Sequence, residues 1–337
     1  MSFLFKRVPK TPQELVRVLE ELLVKLDTAA DPKKALEDVH RYLKQAKALL
    51  TSDDATEQAA AVTQEMCQSD CLYYMVLGLR RMDFDLRKDV VLVFGALLKR
   101  QDGPERLVVH TLLQKQDTLV LLMRGPEHDE LACSCGKILR ECLVYVPLHQ
   151  FVLSHSLLWN YFDYPQRQQF ETTTETVQTL EALLTRNKKL VGEFLASNRE
   201  HFIVKINSLI QSDNYVLKRR SARLLNDLLQ QKHCQTFLLS YTDDPTSLKL
   251  VMLLLSDKLK NVNMEGFQIL KFFIAKPKKT QKIFDILVKN KENFLRFFES
   301  FEVSDADNSL CEERDYVVEE IRKLPNLERV DASSHAS

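Results

Sequence analysis

The sequence predicts an all-α protein, a right-handed solenoid of helical repeats curved around a concave face. Three observations carry this expectation. Glycine is scarce, with 7 in 337 residues, where an average chain carries about 7%. Apolar residues recur at helical spacing along the whole length, and no convincing strand alternation interrupts them. One helical pattern also returns at a near-constant interval of 41 to 45 residues.

The elements follow in order. Thr11-Pro12-Gln13-Glu14 is a capping box with proline at the first helical position, where its missing N–H leaves nothing unsatisfied. Asp31-Pro32 opens the next helix in the same way, and LVRVLEELLVKL (15–26) carries its apolar residues on one stripe. Five later helices share one pattern and are expected to end at Leu98, Leu139, Leu184, Leu229 and Phe273, at intervals of 41, 45, 45 and 44 residues. One residue before each anchor stand Leu97, Ile138, Leu183, Leu228 and Phe272. Four before stand Phe94, Cys135, Leu180, Leu225 and Ile269. Seven before stand Val91, Ala132, Val177, Ala222 and Gly266, all small or β-branched. Each helix should therefore bury one stripe and place its small residue where a neighbour comes close.

A period of about 40 to 47 residues is that of HEAT and armadillo repeats. Such repeats stack into superhelices with a long binding face. The repeats read as one domain over 1–324, and the polar stretch 325–337 reads as a disordered tail.

Composition narrows the function. Basic and acidic residues balance, 47 against 47, without the basic excess of a protein that lives on nucleic acid or an anionic membrane. No run reaches the roughly 18 apolar residues of a membrane span. MSFLFKRVPK has no apolar core of signal-peptide length, and the 7 cysteines are odd in number. A reduced cytoplasmic protein is expected. No GxGxxG, GxxxxGK[ST] or GxSxG motif and no kinase signature set occurs.

Metal sites are not expected either. Cys67-x3-Cys71 and Cys133-x-Cys135 lack the second hook or histidine pair that zinc needs. They read as small buried hydrophobes. The 8 histidines are scattered and read as surface or capping residues. SDADNSLCEERD (304–315) lacks the glycine and glutamate of an EF-hand loop and reads as an acidic linker into the last helix. The remaining function is recognition by a non-catalytic chain without cofactor.

Two neighbouring stretches frame a candidate site. In SDNYVLKRRSARLLNDLLQQ (212–231), Leu217, Leu224, Leu225, Leu228 and Leu229 share one helix side, and Arg219 and Arg223 stack at i,i+4 on the other. Lys218 and Arg220 flank the apolar stripe, with Arg220 near Asp227 in projection. Arg219 and Arg223 are read as having no such local acid. Such a column is commonly just solvated, but paired guanidinium forks suit a carboxylate. SLKLVMLLLSDK (247–258) is apolar nearly all round, the mark of a helix deeply buried or covered by a partner. Together the stretches suggest a pocket for a short peptide with aromatic anchors and an acid. The alternative is a nucleic-acid-binding repeat, with a basic stripe from 218–223 and KPKKTQK (276–282). KPKKTQK also reads as a solvated loop.

Several motifs carry a resemblance. NYVLKRRSARLLNDLL (214–229) and LKNVNMEGFQILKFFIAKPKKTQKIFDILVKN (259–290) are similar to signatures of the calcium-binding protein 39, or Mo-type, family of scaffold proteins. RKDVVLVFGALLKRQ (87–101), GKILREC (136–142) and EALLTRNKKLVGEFL (181–195) match in order. The resemblance implies an armadillo-like scaffold that binds sterile-twenty-type kinases or a related pseudokinase. It further implies a concave face holding the kinase active and a C-terminal pocket for a Trp-Glu-Phe tail. A second kinase completes the family's ternary complex in animals. The family's pocket residues fall on Arg219, Arg223 and Met252, with Tyr215, Lys249 and Phe170 near the groove. The chain departs from the family at Gln231-Lys232-His233-Cys234-Gln235, where Lys232 and Gln235 replace an arginine and a phenylalanine, and in FETTTETVQTLEALL (170–184).

Overall fold

The proline-led starts cap as their chemistry dictates. Thr11 Oγ1 accepts the Glu14 N–H at 3.2 Å, and Asp31 Oδ1 accepts the Lys34 N–H at 3.2 Å. These bonds satisfy N–H groups that a first helical turn leaves without an intrahelical partner. A computed structural model describes residues 11–26, 31–52, 56–100, 106–167, 170–301 and 308–326. Among the described residues there are nineteen α-helices and no strand. The stretch 327–337, expected to be a tail, lies outside them, as do 304–307 of the expected acidic linker; Asn308 already begins the last helix.

Contacts gather the chain into two compact units that meet at Leu190 and Val191. In the first, the helices run α1 (Pro12–Lys25), α2 (Pro32–Thr51), α3 (Thr56–Gln68), α4 (Cys71–Gly78), α5 (Phe84–Lys99), α6 (Leu107–Gln114), α7 (Asp117–Arg124), α8 (Asp129–Cys142), α9 (Val146–Ser154), α10 (Asn160–Asp163) and α11 (Phe170–Thr185). They stack in three rows. α2, α5, α8 and α11 pack in succession, as do α1, α4 and α7, and α3, α6 and α9. Each repeat thus gives one helix to each row, and the 41- to 45-residue period is the spacing within the α5–α8–α11 row.

The second unit holds most of α12 (Lys188–Ile210), then α13 (Tyr215–Leu229), α14 (Gln235–Asp243), α15 (Pro245–Leu255), α16 (Lys260–Ala275), α17 (Gln281–Lys289), α18 (Lys291–Ser300) and α19 (Asn308–Arg322). α12 kinks at Asn198 (φ −120°, ψ 18°). α16 packs against α13, α15 and α19.

The repeat columns are where the pattern puts them. All five anchors, Leu98, Leu139, Leu184, Leu229 and Phe273, are buried, as are all five residues of the column four before. Val91 and Phe272 are the exceptions in the other two columns, each half-buried. The helices end within two residues of their anchors, except α8, which runs on to Cys142. Gly266 shows why the last column is small. A Cβ there would lie 2.9 Å from Leu254 Cβ and 3.1 Å from Leu255 N, so α16 and α15 touch almost backbone to backbone.

Candidate recognition site

α13 starts where Asn214 accepts the N–H groups of Val216 and Leu217, at 3.0 and 3.2 Å. Its leucine stripe, Leu217, Leu224, Leu225, Leu228 and Leu229, is buried. On the other side Arg223 is exposed and Arg219 half-buried. The pair does have an acid, supplied by the neighbouring helix. Glu265 of α16 is half-buried; burial pushes its carboxyl above the usual range, while the fields of Arg223 and Arg219 pull it down. Asp227 adds a small upward push. Looking along α13 alone misses Glu265. The clue lay in the register, because Glu265 directly precedes Gly266, the close-approach residue of its repeat.

Lys218 turns the other way and bonds Asp257 at 3.1 Å. Burial raises the Asp257 carboxyl, but the Leu259 N–H and Lys218 outweigh it and hold the group below its ordinary value. The Tyr215 hydroxyl accepts from Asn261 Nδ2 at 3.3 Å. Asn263 Nδ2 donates to the carbonyls of Leu254, Leu255 and Asp257. The start of α16 is thereby tied to the end of α15.

α15 realises both readings of its apolar run. Leu248, Leu250, Val251, Leu254 and Leu255 are buried, whereas Leu253 is 68% exposed. Lys249 is exposed and Met252 half-buried. An open groove of about 450 Å³ runs here, lined by Lys218, Lys249, Leu250, Leu253 and Asp257 among others. The structure thus brings Lys249 together with Lys218 and Leu253, and Arg219 with Arg223 and Glu265. Met252 sits beside Lys249 on α15 without lining the groove. Phe170, 63% exposed, opens α11 in the first unit.

The segment that departs from the family signature is a short turn. Lys232, His233 and Gln235 are exposed, and Cys234 is buried. A Cβ on Gly192 would fall 2.2 Å from the His233 carbonyl oxygen, so the turn rests directly on α12. In KPKKTQK, Lys276 pairs with Asp243 at 2.7 Å, and Lys279 donates to the carbonyls of Ile274 and Lys276. These two lysines brace the fold, which corrects their reading as part of a solvated loop.

Other polar chemistry is largely structural. Cys67, Cys71, Cys135, Cys142 and Cys234 are buried and no cysteine is in a disulfide. Burial pushes the thiols of Cys135 and Cys142 up to about 12. Among the described residues no three His, Cys, Asp or Glu side chains could together hold a metal ion. No described helix is long and apolar enough to cross a membrane. His155 caps a turn by accepting the Leu157 N–H, as expected. His149 does not fit the surface or capping expectation. It is fully buried, with Nε2 donating to the Leu183 carbonyl at 2.8 Å and Nδ1 accepting from Asn187 Nδ2 at 2.7 Å. Two good polar partners make burial of an imidazole tolerable.

The chain is similar over nearly its whole length to known proteins. "Calcium-binding protein 39-like" of Mus musculus is 35% identical, with 95% of this chain and 97% of that one aligned. "Mo25-like protein" of Schizosaccharomyces pombe is 30% identical, covering 96% and 100%. Among solved structures, the crystal structure of SYS-1 aligns with a TM-score of 0.57 at 13% identity, over 94% of this chain and 59% of that one, a likeness of fold alone. The Mo25-like family model matches residues 3–325. Repeat columns, buried stripes and these matches agree: the chain belongs to the Mo25-like family of scaffold proteins.

Proposed function

We propose that this chain is a non-catalytic scaffold that binds sterile-twenty-type kinases or a related pseudokinase and holds them in their active arrangement. The observation that carries the reading is the surface of α13 and α15. An exposed Leu253 stands in a groove with Lys218 and Lys249, and the Arg219–Arg223 column lies on α13. A partner tail with an aromatic anchor and an acid matches both parts. The anchor covers Leu253 and removes its apolar surface from water. The acid meets the guanidinium groups, which bind a carboxylate through paired N–H donors. Activation needs no proton or phosphoryl transfer by this chain. A scaffold that prefers the active kinase conformation raises its population by the difference in affinity. A second kinase docking at the 231–235 turn would meet Lys232 and Gln235.

The nucleic-acid alternative needs cations free to face phosphates. Lys218, Lys276 and Lys279 are committed inside the fold, which breaks the basic stripe this alternative requires. The test is a fluorescence anisotropy titration with a labelled peptide ending in Trp-Glu-Phe. Wild type, Arg219→Ala and Leu253→Ser are compared, with circular dichroism to confirm folding. Affinity in the wild type that falls in the folded variants supports the proposal. Failure of the wild type to bind removes the tail-pocket reading. A steep loss of affinity with salt for single-stranded DNA, without peptide binding, favours the alternative.

A further inference from the structure

The second unit carries another groove, of about 650 Å³, between the later half of α12 and the junction of α14 with α15. It takes no residue from α13, α16 or α19, the stack that holds Arg219, Arg223 and Glu265. It meets the Leu253 groove at Gln211 and Thr246 but includes neither Leu253 nor the lysines of that groove. One wall is a face of α12, where Glu200, Val204, Ser208 and Gln211 follow at steps of four, four and three residues. Val204 is 69% exposed, and among the described residues no other large apolar side chain is as exposed. Its apolar neighbours on α12, Phe202, Ile203, Ile206, Leu209 and Ile210, are all buried.

A buried polar network fixes the two walls against each other. Asn207 Nδ2 donates to Ser247 Oγ at 2.9 Å, and Asn207 Oδ1 accepts from the Tyr241 hydroxyl at 3.1 Å. The Ser247 hydroxyl in turn donates to Asp244 at 2.6 Å. Asn207, Tyr241 and Ser247 are buried and each has a partner. Such a satisfied network holds α12, α14 and α15 in one register, so the groove is formed before any partner arrives.

Its charge is one-sided. Glu200, Asp243 and Asp244 line it against the single guanidinium of Arg199. Arg199 bends back to the Ala196 carbonyl at 3.0 Å. Asp244 caps α15 through the Thr246 and Ser247 N–H groups. Asp243 pairs with Lys276 but keeps 41% of its side chain exposed, and a carboxylate has room for a further donor. Glu200 is exposed and unpaired among the described residues.

We propose that this groove docks a basic segment of a partner protein that carries an apolar anchor. The anchor covers Val204 and removes it from water. Its flanking lysines or arginines meet Glu200 and Asp243. An acidic segment would face carboxylates on both walls, with one guanidinium to receive it. Docking here needs only that the chain be a scaffold for protein partners, and does not depend on the α13–α15 site.

The probe is a fluorescein-labelled peptide, Lys-Arg-Lys-Leu-Leu-Lys-Arg-Lys, titrated against the full chain by anisotropy. A second probe has both leucines replaced by serine. The wild type is expected to bind the leucine peptide several-fold more tightly than the serine peptide. Val204→Ser should erase that preference, and Glu200→Lys should weaken the leucine peptide about three- to tenfold. Both positions are exposed, so the helical dichroism should stay. Leu253→Ser should bind the probe normally, and unlabelled Trp-Glu-Phe peptide should not displace it. No binding by the wild type, equal affinity for the two probes, or wild-type binding by both variants would each overturn the proposal. Displacement by the Trp-Glu-Phe peptide would place the ligand in the Leu253 groove and overturn it as well. So would a wild-type dimer in sedimentation that Val204→Ser splits, since the occupant would then be a second copy of this chain. Direct binding of the Trp-Glu-Phe peptide is measured in the same samples and stands or falls by itself.

Discussion

One substitution, made at two glycines, should have opposite consequences. Gly95 and Gly266 both lie inside long helices, α5 and α16. Replacing either by alanine removes a conformational cost of about 0.5–1 kcal/mol. At Gly95 nothing opposes that gain, since the new Cβ meets no atom within 4 Å. At Gly266 the Cβ would stand 2.9 Å from Leu254 Cβ, 3.1 Å from Leu255 N and 3.2 Å from Leu254 C. Two of these three atoms are backbone, which cannot swing aside as a side-chain tip can. Overpacking of this kind costs about 1–3 kcal/mol, so Gly266→Ala should lose about 1–2 kcal/mol net. Thermal unfolding followed at 222 nm would read the difference. For units of this size about 1 kcal/mol moves Tm by about 2–4 °C. Gly95→Ala should therefore raise Tm by a few degrees and Gly266→Ala lower it by a similar or larger amount. Shifts of the same sign at both sites would refute the close-approach argument.

Three further outcomes follow. Leu253→Ser should leave stability near wild type, since the side chain is 68% exposed, yet lower affinity for the Trp-Glu-Phe peptide. Covering that share of a leucine is worth about 1–2 kcal/mol, or about five- to thirtyfold; unchanged affinity in anisotropy would place the anchor elsewhere. Glu265→Gln should bind the peptide about threefold or more tightly by freeing the arginines. Because burial holds this carboxyl above its ordinary value, its ionised form works against folding at neutral pH, and the variant should be no less stable in urea; a marked loss would make Glu265 a structural clamp. His149 titrates below its ordinary 6.5 because burial disfavours the charged ring, the Leu183 carbonyl pulling weakly the other way. The unfolded chain therefore takes up the proton first. The neutral ring's contribution is complete above the ordinary value and is lost as pH falls from there toward the lowered one, by at most about 1.4 kcal/mol per pH unit. Urea midpoints at pH 7.5, 6.5 and 5.5 should show this slope, and His149→Phe should flatten it.

What could be read from residues alone was whatever has a short period. The caps at Thr11 and Asp31 depend on one side chain and the next turn, so local spelling suffices. The leucine stripe of α13 and the repeat columns depend on 3.6-residue periodicity and on its return each repeat. Glu265 escaped because its partners are Arg219 and Arg223, on another helix, and only stacking α13 on α16 joins them. His149 escaped because polarity predicts exposure until a specific pair of partners, here Leu183 and Asn187, satisfies both ring nitrogens. Lys276 and Lys279 looked like loop charges because Asp243 and the carbonyls they bind are distant or backbone groups. Met252 and Leu253 stand next to each other in an unbroken apolar run, where periodicity cannot say which one faces out. Only the packing of α15 against α16 makes it Leu253.

The uneven burial of the cysteines has a practical side. Five thiols are packed inside, and those of Cys71, Cys135, Cys142 and Cys234 are held protonated by their surroundings, so alkylating reagents and oxidants meet a poor nucleophile there. Cys133, on α8, and Cys311, on α19, are half-exposed. One belongs to each compact unit. The natural chain thus offers one accessible attachment point per unit for a maleimide dye or spin label, and a doubly labelled wild-type sample would report, without any engineered cysteine, whether the two units move relative to each other when a partner docks.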